Sequence, residues 1–358
     1  MLFKEHFDIP EDITYLNTPG NGVLPRQVHQ WRSAREQSFF DLNSLLRDQQ
    51  ADLINSVRDS LGNTFGAQAQ QVFCTPNFSF GYSTLLDLLP KETTFLLLNE
   101  DYPSLNYPII SRNFSYQRVA LDAQLEMNIR EAISQFKPDV LVLSMVQYIN
   151  GIKIDLNFIK ELKHDFPQLL IIGDGTQYFG TEPFSFIESG FDAVGGSGYK
   201  WLLSGFGNGF LMLSDQFIEF LQRVIGEIAR PKEAMWAGKS MLQTFFEPGH
   251  QDTLSHGTLG QSLAFLNSLG LAAVGKYISD LSQLAHEELS KRQLLLPEVA
   301  ARTTRSSLIN IQISPAHYTT LMESGVKCFP RGSGIRIGIH LYNTEDDLHR
   351  LLQIIDRL

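Results

Sequence analysis

The sequence has little of what several classes of protein require. It holds only two cysteines, Cys74 and Cys328, in 358 residues, so it cannot form a disulfide framework or a four-cysteine metal site. No apolar run approaches the roughly 18 residues of a membrane span, and we expect no membrane insertion. Histidine and carboxylate residues show no close metal-ligand spacing, and we expect no metal site.

Basic residues are also scarce. The formal charge is −10 at pH 7 and lysines and arginines do not cluster, which argues against a nucleic acid as partner. The opening stretch, residues 1–16, carries acids where a secretory signal would carry a basic head and an apolar stretch. Together with the low cysteine content, this stretch predicts a cytoplasmic protein.

Apolar runs of strand length alternate with segments of helical period from about residue 70 to residue 213. The runs are almost entirely apolar, which is typical of strands buried on both faces of a parallel sheet. We expect helices at 79–89, 124–136 and 155–165 between them. The predicted strands are 71–75, 94–99, 139–146, 169–174 and 191–196. This alternation predicts an α/β fold with a mostly parallel, doubly wound sheet.

The pattern changes after residue 213. The C-terminal third predicts a smaller α+β domain that also takes in residues 1–15, so that the large domain spans 16–250 and the small one 1–15 and 251–358. The elements expected there are one long helix over 257–292, strands at 306–313 and 334–340, and a closing helix over 344–357.

Polar residues follow the ends of the predicted strands, where a doubly wound sheet binds its ligands. Lys200 is the least expected of them, because it stands between an apolar strand and a glycine-rich turn. Apolar surroundings disfavour the charged form of a lysine and leave an amine that can form a Schiff base with an aldehyde. The set comprises Asn77, Ser79, Tyr102, Gln147, Asp174, Thr176, Gln177, Ser197 and Lys200.

The other groups suit one biological aldehyde, pyridoxal phosphate (PLP). Its ring nitrogen must stay protonated, and a buried carboxylate such as Asp174 would hold the proton there. Tyr102 offers a face for ring stacking, and Gln177 a donor to the phenolic oxygen of the ring. The sequence therefore predicts a PLP site at this edge of the sheet.

The phosphate of the cofactor needs N–H and hydroxyl donors. A helix start provides both, and one is expected at Asn77, Phe78 and Ser79. Ser197, at the end of the strand that precedes Lys200, is a further hydroxyl donor. Ser79 can equally cap the helix, and the two roles are compatible.

The chain resembles the class V aminotransferases, a family of fold-type I PLP enzymes that includes cysteine desulfurases, kynureninases and isopenicillin N epimerase-like proteins. The strongest matching element is Asp174-x-x-Gln177 followed by Ser197-x-x-Lys200. The resemblance implies a PLP-dependent transferase fold in which Lys200 binds the cofactor, Asp174 pairs with the ring nitrogen and Gln177 donates to the phenolic oxygen. It also implies ring stacking by Tyr102.

Two further segments resemble family motifs. In RIGIHLYNTEDDL (336–348) the resemblance implies that Arg336 clamps the substrate α-carboxylate, a task that suits a planar guanidinium. In HGTLG (256–260) it implies that Gly257 and Thr258 contact the phosphate of a neighbouring subunit, in a homodimer with shared active sites. Ser79 and Ser197 match phosphate ligands, and Gln147 stands where relatives often have an asparagine near the substrate. These segments lie in a match that runs from YLNTPGNGVLP (15–25) to the C-terminus.

The resemblance implies a PLP-dependent enzyme that acts on an amino acid or a related amine, with transamination as the first expectation. Desulfuration or another lyase reaction, kynureninase-like hydrolysis and epimerisation remain alternatives, as does a non-catalytic binding or assembly module. Desulfuration is weakened because Tyr199 stands where desulfurases usually have histidine. It is weakened further because Cys328 lies in a short strand connection rather than on a presenting loop, while Cys74 is expected in the core.

Overall fold

A computed structural model describes residues 3–41, 44–229 and 232–358 of the chain. The strands of these residues are β1 (Thr14–Tyr15), β2 (Val72–Thr75), β3 (Thr94–Leu98), β4 (Ser115–Val119), β5 (Val140–Ser144), β6 (Leu170–Asp174), β7 (Ala193–Ser197), β8 (Gly209–Leu213), β9 (Leu308–Ile311), β10 (Val326–Lys327), β11 (Phe329–Arg331) and β12 (Gly334–Gly338).

Helices flank these strands along the chain. The α-helices are α1 (Arg26–Phe40), α2 (Gln50–Phe65), α3 (Phe78–Asp87), α4 (Pro103–Ser111), α5 (Leu125–Phe136), α6 (Leu156–Asp165), α7 (Asp215–Ile225), α8 (Ala234–Ala237), α9 (Met241–Phe246), α10 (Thr253–Leu269), α11 (Leu271–Lys291), α12 (Pro297–Ala300), α13 (Tyr318–Glu323) and α14 (Glu345–Ile355). Short 3₁₀ helices lie at Phe3–His6, Ser44–Leu46, Ala69–Gln71 and Pro315–His317.

The central sheet has the strand order β2-β8-β7-β6-β5-β3-β4. Strand β8 runs antiparallel to β2 and β7, and the other neighbouring pairs are parallel. Every residue of β2, β5, β7 and β8 is buried, and separate apolar clusters cover the two faces of the sheet. The α/β prediction with a mostly parallel, doubly wound sheet is confirmed, because strands covered on both sides are apolar throughout.

The chain order reverses between β3 and β5. Strand β3 is followed by β4 on its outer side, whereas β5 pairs with the opposite edge of β3. Crossover connections leave the sheet in opposite directions at such a point, so a crevice opens beyond the carboxyl ends of the strands. The residues that follow β3 and β5 therefore lie at the natural binding edge of the sheet.

The C-terminal third forms a second, antiparallel sheet in the order β11-β12-β9. It packs with α11 and α14 around a third apolar cluster. Strand β1 pairs in parallel with β10, and Asn17 forms a bridge with Gly338 of β12. The first residues of the chain thus pack with its last third.

The prediction of a single helix over 257–292 is wrong. The structure has two helices, α10 and α11, separated by Gly270 with a φ of 82°. Glycine adopts this left-handed backbone at little cost, so it ends a helix readily. Helix α10 packs on α1 and α2, whereas α11 contributes Leu281, Ala285 and Leu289 to the third cluster.

Within the described ranges, no helix combines the length and the apolar character that crossing a membrane requires. The same residues include no group of three or more His, Cys, Asp or Glu side chains that could hold a metal ion.

Candidate active site

A cavity of about 470 Å³ opens at the carboxyl edge of the central sheet. Eight of the twelve predicted site residues line it: Asn77, Phe78, Ser79, Tyr102, Asp174, Gln177, Ser197 and Lys200. The remaining wall consists of Pro76, Ser144, Val146, Tyr148, Thr176, Tyr199, Phe206 and Gly207. Residues that follow five different strands, β2, β3, β5, β6 and β7, thus meet around one space.

Lys200 places its amine in this cavity between two aromatic rings. Nζ lies 5.8 Å from the ring centroid of Tyr102 and 5.4 Å from that of Tyr199. The side chain is 7% exposed. Burial lowers the pKa of Lys200 to about 7, against the opposing effect of the Asp174 charge. A substantial share of the side chain is therefore neutral amine at physiological pH, which is the nucleophilic form.

The backbone around Lys200 is fixed by close packing. The carbonyl oxygen of Lys200 lies so near Gly22 that a Cβ there would approach it to 2.1 Å, and the N–H of Gly22 donates to the Tyr199 carbonyl at 2.8 Å. The next residue, Trp201, is fully buried and its Nε1 donates to Oε1 of Gln177 at 2.7 Å. This packing holds the lysine in one orientation.

Asp174 ends β6 and is also buried. Its Oδ1 accepts from the Thr176 backbone N–H at 2.8 Å, and Thr176 Oγ1 in turn accepts from the Ser197 N–H at 3.1 Å. Burial raises the pKa of Asp174 to about 6, although its hydrogen bonds with Thr176 oppose the rise. No ion pair of the described residues includes Asp174. A buried carboxylate without a cation is a fitting partner for a protonated ring nitrogen.

The start of α3 forms the opposite end of the cavity. Asn77, rather than Ser79, caps the helix, because its Oδ1 accepts from the Phe80 N–H at 2.9 Å. The Phe78 N–H donates to Ser197 Oγ at 3.0 Å, which ties the helix start to the end of β7. The hydroxyl of Ser79 is therefore not used as the cap, and this helix N-terminus fits a phosphate group.

Tyr102 is held over the cavity by the residue before it. The carboxylate of Asp101 accepts from the Tyr102 N–H at 2.7 Å, from the Ser144 N–H at 2.8 Å and from Ser144 Oγ at 2.6 Å. These bonds join the ends of β3 and β5 across the crevice. The Tyr148 ring meets the Tyr102 ring edge-on, with centroids 5.0 Å apart. The stacking face predicted for a cofactor ring is thus supported from two sides.

Gln177 and Gln147 use their amides to hold the backbone. Nε2 of Gln177 donates to the Pro19 carbonyl at 3.1 Å. Oε1 of Gln147 accepts from the backbone N–H groups of Ile149 and Asn150 at 2.6 and 2.8 Å. Gln177 still lines the cavity, whereas at the other turn the neighbouring Tyr148 does so in place of Gln147. The predicted contact between Gln147 and the substrate stays a prediction.

Arg336 lies on β12 beside the cavity rather than in its lining. It is 4% exposed, and its Nη1 donates to the Tyr148 carbonyl at 2.7 Å. Its Nε is buried without a hydrogen-bond partner among the described residues. Burial lowers the pKa of Arg336 to about 10, and the charge of Arg331 lowers it further. A buried guanidinium with donors to spare is suited to an anionic ligand.

Gly257 and Thr258 do not line this cavity. Both lie on α10, where a Cβ at Gly257 would come within 2.1 Å of the Trp31 ring. Thr258 Oγ1 accepts from Arg32 at 2.8 Å and donates to the Leu254 carbonyl at 2.6 Å. Their expected contact concerns a second subunit and stays a prediction.

Several lining residues were missed by the sequence analysis. Ser144 ends β5 but lies two residues before the end of the predicted strand 139–146, so the rule that selected residues at strand ends did not select it. Tyr148 and Phe206 lie in connecting segments, where no periodicity or motif marks a side chain as cavity-lining. Tyr199 was noted only as a departure from the desulfurases.

The cavity thus contains an amine, a carboxylate without an ion-pair partner, an aromatic face and the start of a helix. Together these groups fit PLP in size and in chemistry. The fold and this set of groups define a fold-type I PLP enzyme. The comparisons with known proteins agree with that class.

A profile of the family described as aminotransferase class-V matches residues 49–351. The uncharacterized aminotransferase YcbU of Bacillus subtilis (strain 168) is 21% identical over 316 residues, which cover 84% of this chain and 82% of YcbU. Isopenicillin N epimerase of Amycolatopsis lactamdurans is 22% identical over 389 residues, covering 99% and 97%. The solved structure of a C-DES mutant with glycine covalently linked to its PLP cofactor has the same fold, with a TM-score of 0.86 over 99% of both chains at 19% identity. The chain belongs to the aminotransferase class-V family and is a PLP-dependent enzyme that acts on amino acids.

Proposed function

We propose that the protein is an aminotransferase, which moves an amino group from an amino acid to a keto acid. The observation that supports this most directly is the Lys200 amine, which is buried between Tyr102 and Tyr199 and faces the cavity with a pKa lowered towards neutrality. When bound, PLP supplies an aldehyde carbon that takes up the amino group and a ring that accepts the electron pair left at the α-carbon.

The protein's own groups hold the cofactor and the substrate. Lys200 is the residue that anchors the cofactor through Nζ, and the Asp174 carboxylate keeps a proton on the ring nitrogen. The donors at Ser79, Ser197 and the α3 N-terminus hold the phosphate. Arg336 binds the α-carboxylate of the substrate and so presents the α-hydrogen to the face on which Lys200 lies.

Lys200 then moves a proton. As a neutral amine, Nζ accepts the α-proton of the substrate, and the carboxylate of Asp174 favours withdrawal of the electron pair. If the proton does not return to the α-carbon, hydrolysis would release a keto acid and leave the amino group on the cofactor. An epimer would instead require a proton delivered to the face of the α-carbon opposite Lys200. We propose the first outcome because of the family to which the chain belongs.

Sulfur transfer is disfavoured by the two thiols of the chain. Cys328 is 2% exposed in the third apolar cluster, and burial raises its pKa to about 12. Cys74 is fully buried on β2, and burial raises its pKa to about 12 as well. A sulfur-accepting cysteine needs an exposed thiolate in an electropositive setting. Neither residue offers one.

We also propose that the enzyme works as a homodimer in the cytoplasm. Phe206 is 68% exposed and lines the cavity, and Phe80 at the start of α3 is 43% exposed. Exposed aromatic residues beside a cavity are typical of a surface that a partner covers, and free cysteines agree with a reducing compartment. Sedimentation should give twice the mass of one chain. A stable monomer with bound PLP would contradict the dimer and the expected role of Thr258.

The first test is the visible absorbance spectrum of the purified protein before and after borohydride reduction. We expect a yellow absorbance band that disappears on reduction and a single modified peptide that contains Lys200. Incubation with amino acids and a keto acid should then yield a new amino acid. Chiral chromatography that shows only an inverted substrate would replace transamination by epimerisation, and a protein that takes up no PLP would contradict both.

A further inference from the structure

A second arginine, Arg331, lies near Arg336 on the β11–β12 hairpin and is exposed. Strands β11 and β12 pair so that Phe329 is opposite Arg336 and Arg331 is opposite Gly334. Opposed residues of an antiparallel pair point to the same face. Arg331 and Arg336 are therefore diagonal neighbours on one face of the hairpin. The Arg331 guanidinium lies 5.0 Å from the Phe329 ring centroid.

This face of the hairpin is fastened to the cavity wall. Asn310 of β9 pairs with Arg336, and its Nδ2 donates to the carbonyl groups of Ile149 and Arg331, both at 2.9 Å. Arg336 itself donates to the carbonyl of Tyr148, whose ring lines the cavity. Arg336 thus borders the cavity at Tyr148, and Arg331 is its exposed neighbour on the same face of the hairpin.

The positive charges on this side are not neutralised by the protein. The ion pairs formed by the described residues include neither Arg331 nor Arg336 nor Lys200. Both arginines lower the pKa of Lys200 through their charge, so their fields extend to the reacting amine. Among the described lining residues the one acid is Asp174, which the proposed function assigns to the cofactor. Two arginines are left for the substrate.

We infer that the substrate is an amino acid with a second anionic group on its side chain, which Arg331 binds while Arg336 holds the α-carboxylate. This inference rests on the proposed function. Diagonal neighbours in a sheet lie about 7–8 Å apart, and two long side chains at that distance can bind anionic groups a few carbons apart. Arg331 is exposed, so water satisfies its donors when a neutral side chain is bound. An acidic side chain would replace that water with a bidentate, charge-assisted pair of hydrogen bonds.

The test is calorimetry on the PLP-loaded protein with two matched pairs of ligands, succinate with succinamate and glutarate with glutaramate. Within each pair only one charge differs. We expect one of the diacids to bind roughly 10- to 100-fold more tightly than its monoamide, the factor that corresponds to a hydrogen bond between charged groups. Arg331→Gln should abolish that preference, and Arg331→Lys should retain part of it.

Arg118→Gln is the matched control. Arg118 is an exposed arginine of β4 that lies 5.3 Å from the Tyr116 ring, the same arrangement as Arg331 and Phe329, but it is not on the β11–β12 hairpin. The control should leave every affinity unchanged. Equal affinity for diacids and monoamides, or a preference that persists in Arg331→Gln, overturns the inference.

The two proposals can fail separately. The PLP absorbance band reports on the proposed function before any ligand is added. A yellow protein that converts neutral amino acids and shows no preference for diacids retains the proposed function and loses the inference about its substrate. A protein that takes up no PLP loses both.

Discussion

We propose a cofactor side and a substrate side for the cavity, and the two are built in different ways. The cofactor side consists of the ends of β6 and β7 and the start of α3, which neighbouring strands and hydrogen bonds of 3.0 and 3.1 Å hold together. The substrate side is formed by the Tyr148 turn and the β11–β12 hairpin, whose contact joins residues 188 positions apart. A change in the position of the hairpin can therefore alter the substrate specificity while the groups on the cofactor side stay in place.

The largest effect is expected at Lys200, because its Nζ atom serves both the cofactor side and the substrate side. Lys200→Ala should lower kcat by about 10³-fold or more, because it removes both the anchor and the group that moves the proton. Borohydride should then modify no peptide. Steady-state kinetics and peptide mapping measure these outcomes.

Lys239→Met is the matched control for Lys200. Lys239 Nζ lies 5.3 Å from the Trp236 ring centroid, and burial lowers its pKa too, but it is remote from the cavity lining. The control should keep its PLP band and its activity. If borohydride labels Lys239 instead of Lys200, the assignment of the cofactor side is wrong.

Arg336→Gln should affect the substrate side alone. We expect KM to rise roughly 10- to 100-fold, since a hydrogen-bonded charge pair is lost, while the PLP band and the borohydride label remain. Arg350→Gln is a suitable control, because Arg350 also donates to one backbone carbonyl, that of Ser324 at 2.7 Å. A lost PLP band in Arg336→Gln would mean that the two sides are not independent.

The cofactor side could be predicted from sequence because its residues stand at or just after the ends of apolar runs. Strands that are buried on both faces are apolar throughout, so the sequence shows where each of them ends. The residues that follow those ends must meet at one edge of the sheet. Asp174, Ser197 and Lys200 were found in this way. The choice of Asn77 over Ser79 as the cap of α3 depends on one rotamer, and several cap residues have similar energies.

The substrate side could not be predicted because its contacts join distant segments. Gln147 and Tyr148 are adjacent, and only the folded turn decides which of them faces the cavity. No motif marks Arg331 in the sequence, and its proximity to Arg336 depends on the register of a hairpin. The break at Gly270 was missed because a helical period continues across it.

The capture of PLP by cofactor-free protein should depend on pH. The neutral form of Lys200 is the nucleophile, and its pKa is lowered to about 7, so the rate should rise about tenfold from pH 6 to pH 8 and then level off. Stopped-flow absorbance measures this. Asp174→Asn removes the charge that raises the pKa of Lys200, and the midpoint should therefore move to lower pH. A capture rate that does not change with pH would contradict the assignment of Lys200 as a buried amine with a lowered pKa.

The smallest effect on activity is expected at Cys328. Its side chain is buried in the third apolar cluster, so Cys328→Ala should lower the free energy of unfolding by about 1 kcal/mol through a small cavity. The variant should keep kcat within about twofold, and Cys74→Ala should behave alike as the buried control. Thermal unfolding and kinetics measure both. If folded Cys328→Ala loses activity more than tenfold, a thiol takes part in the reaction, and the substrate side then includes a residue from the core of the C-terminal sheet.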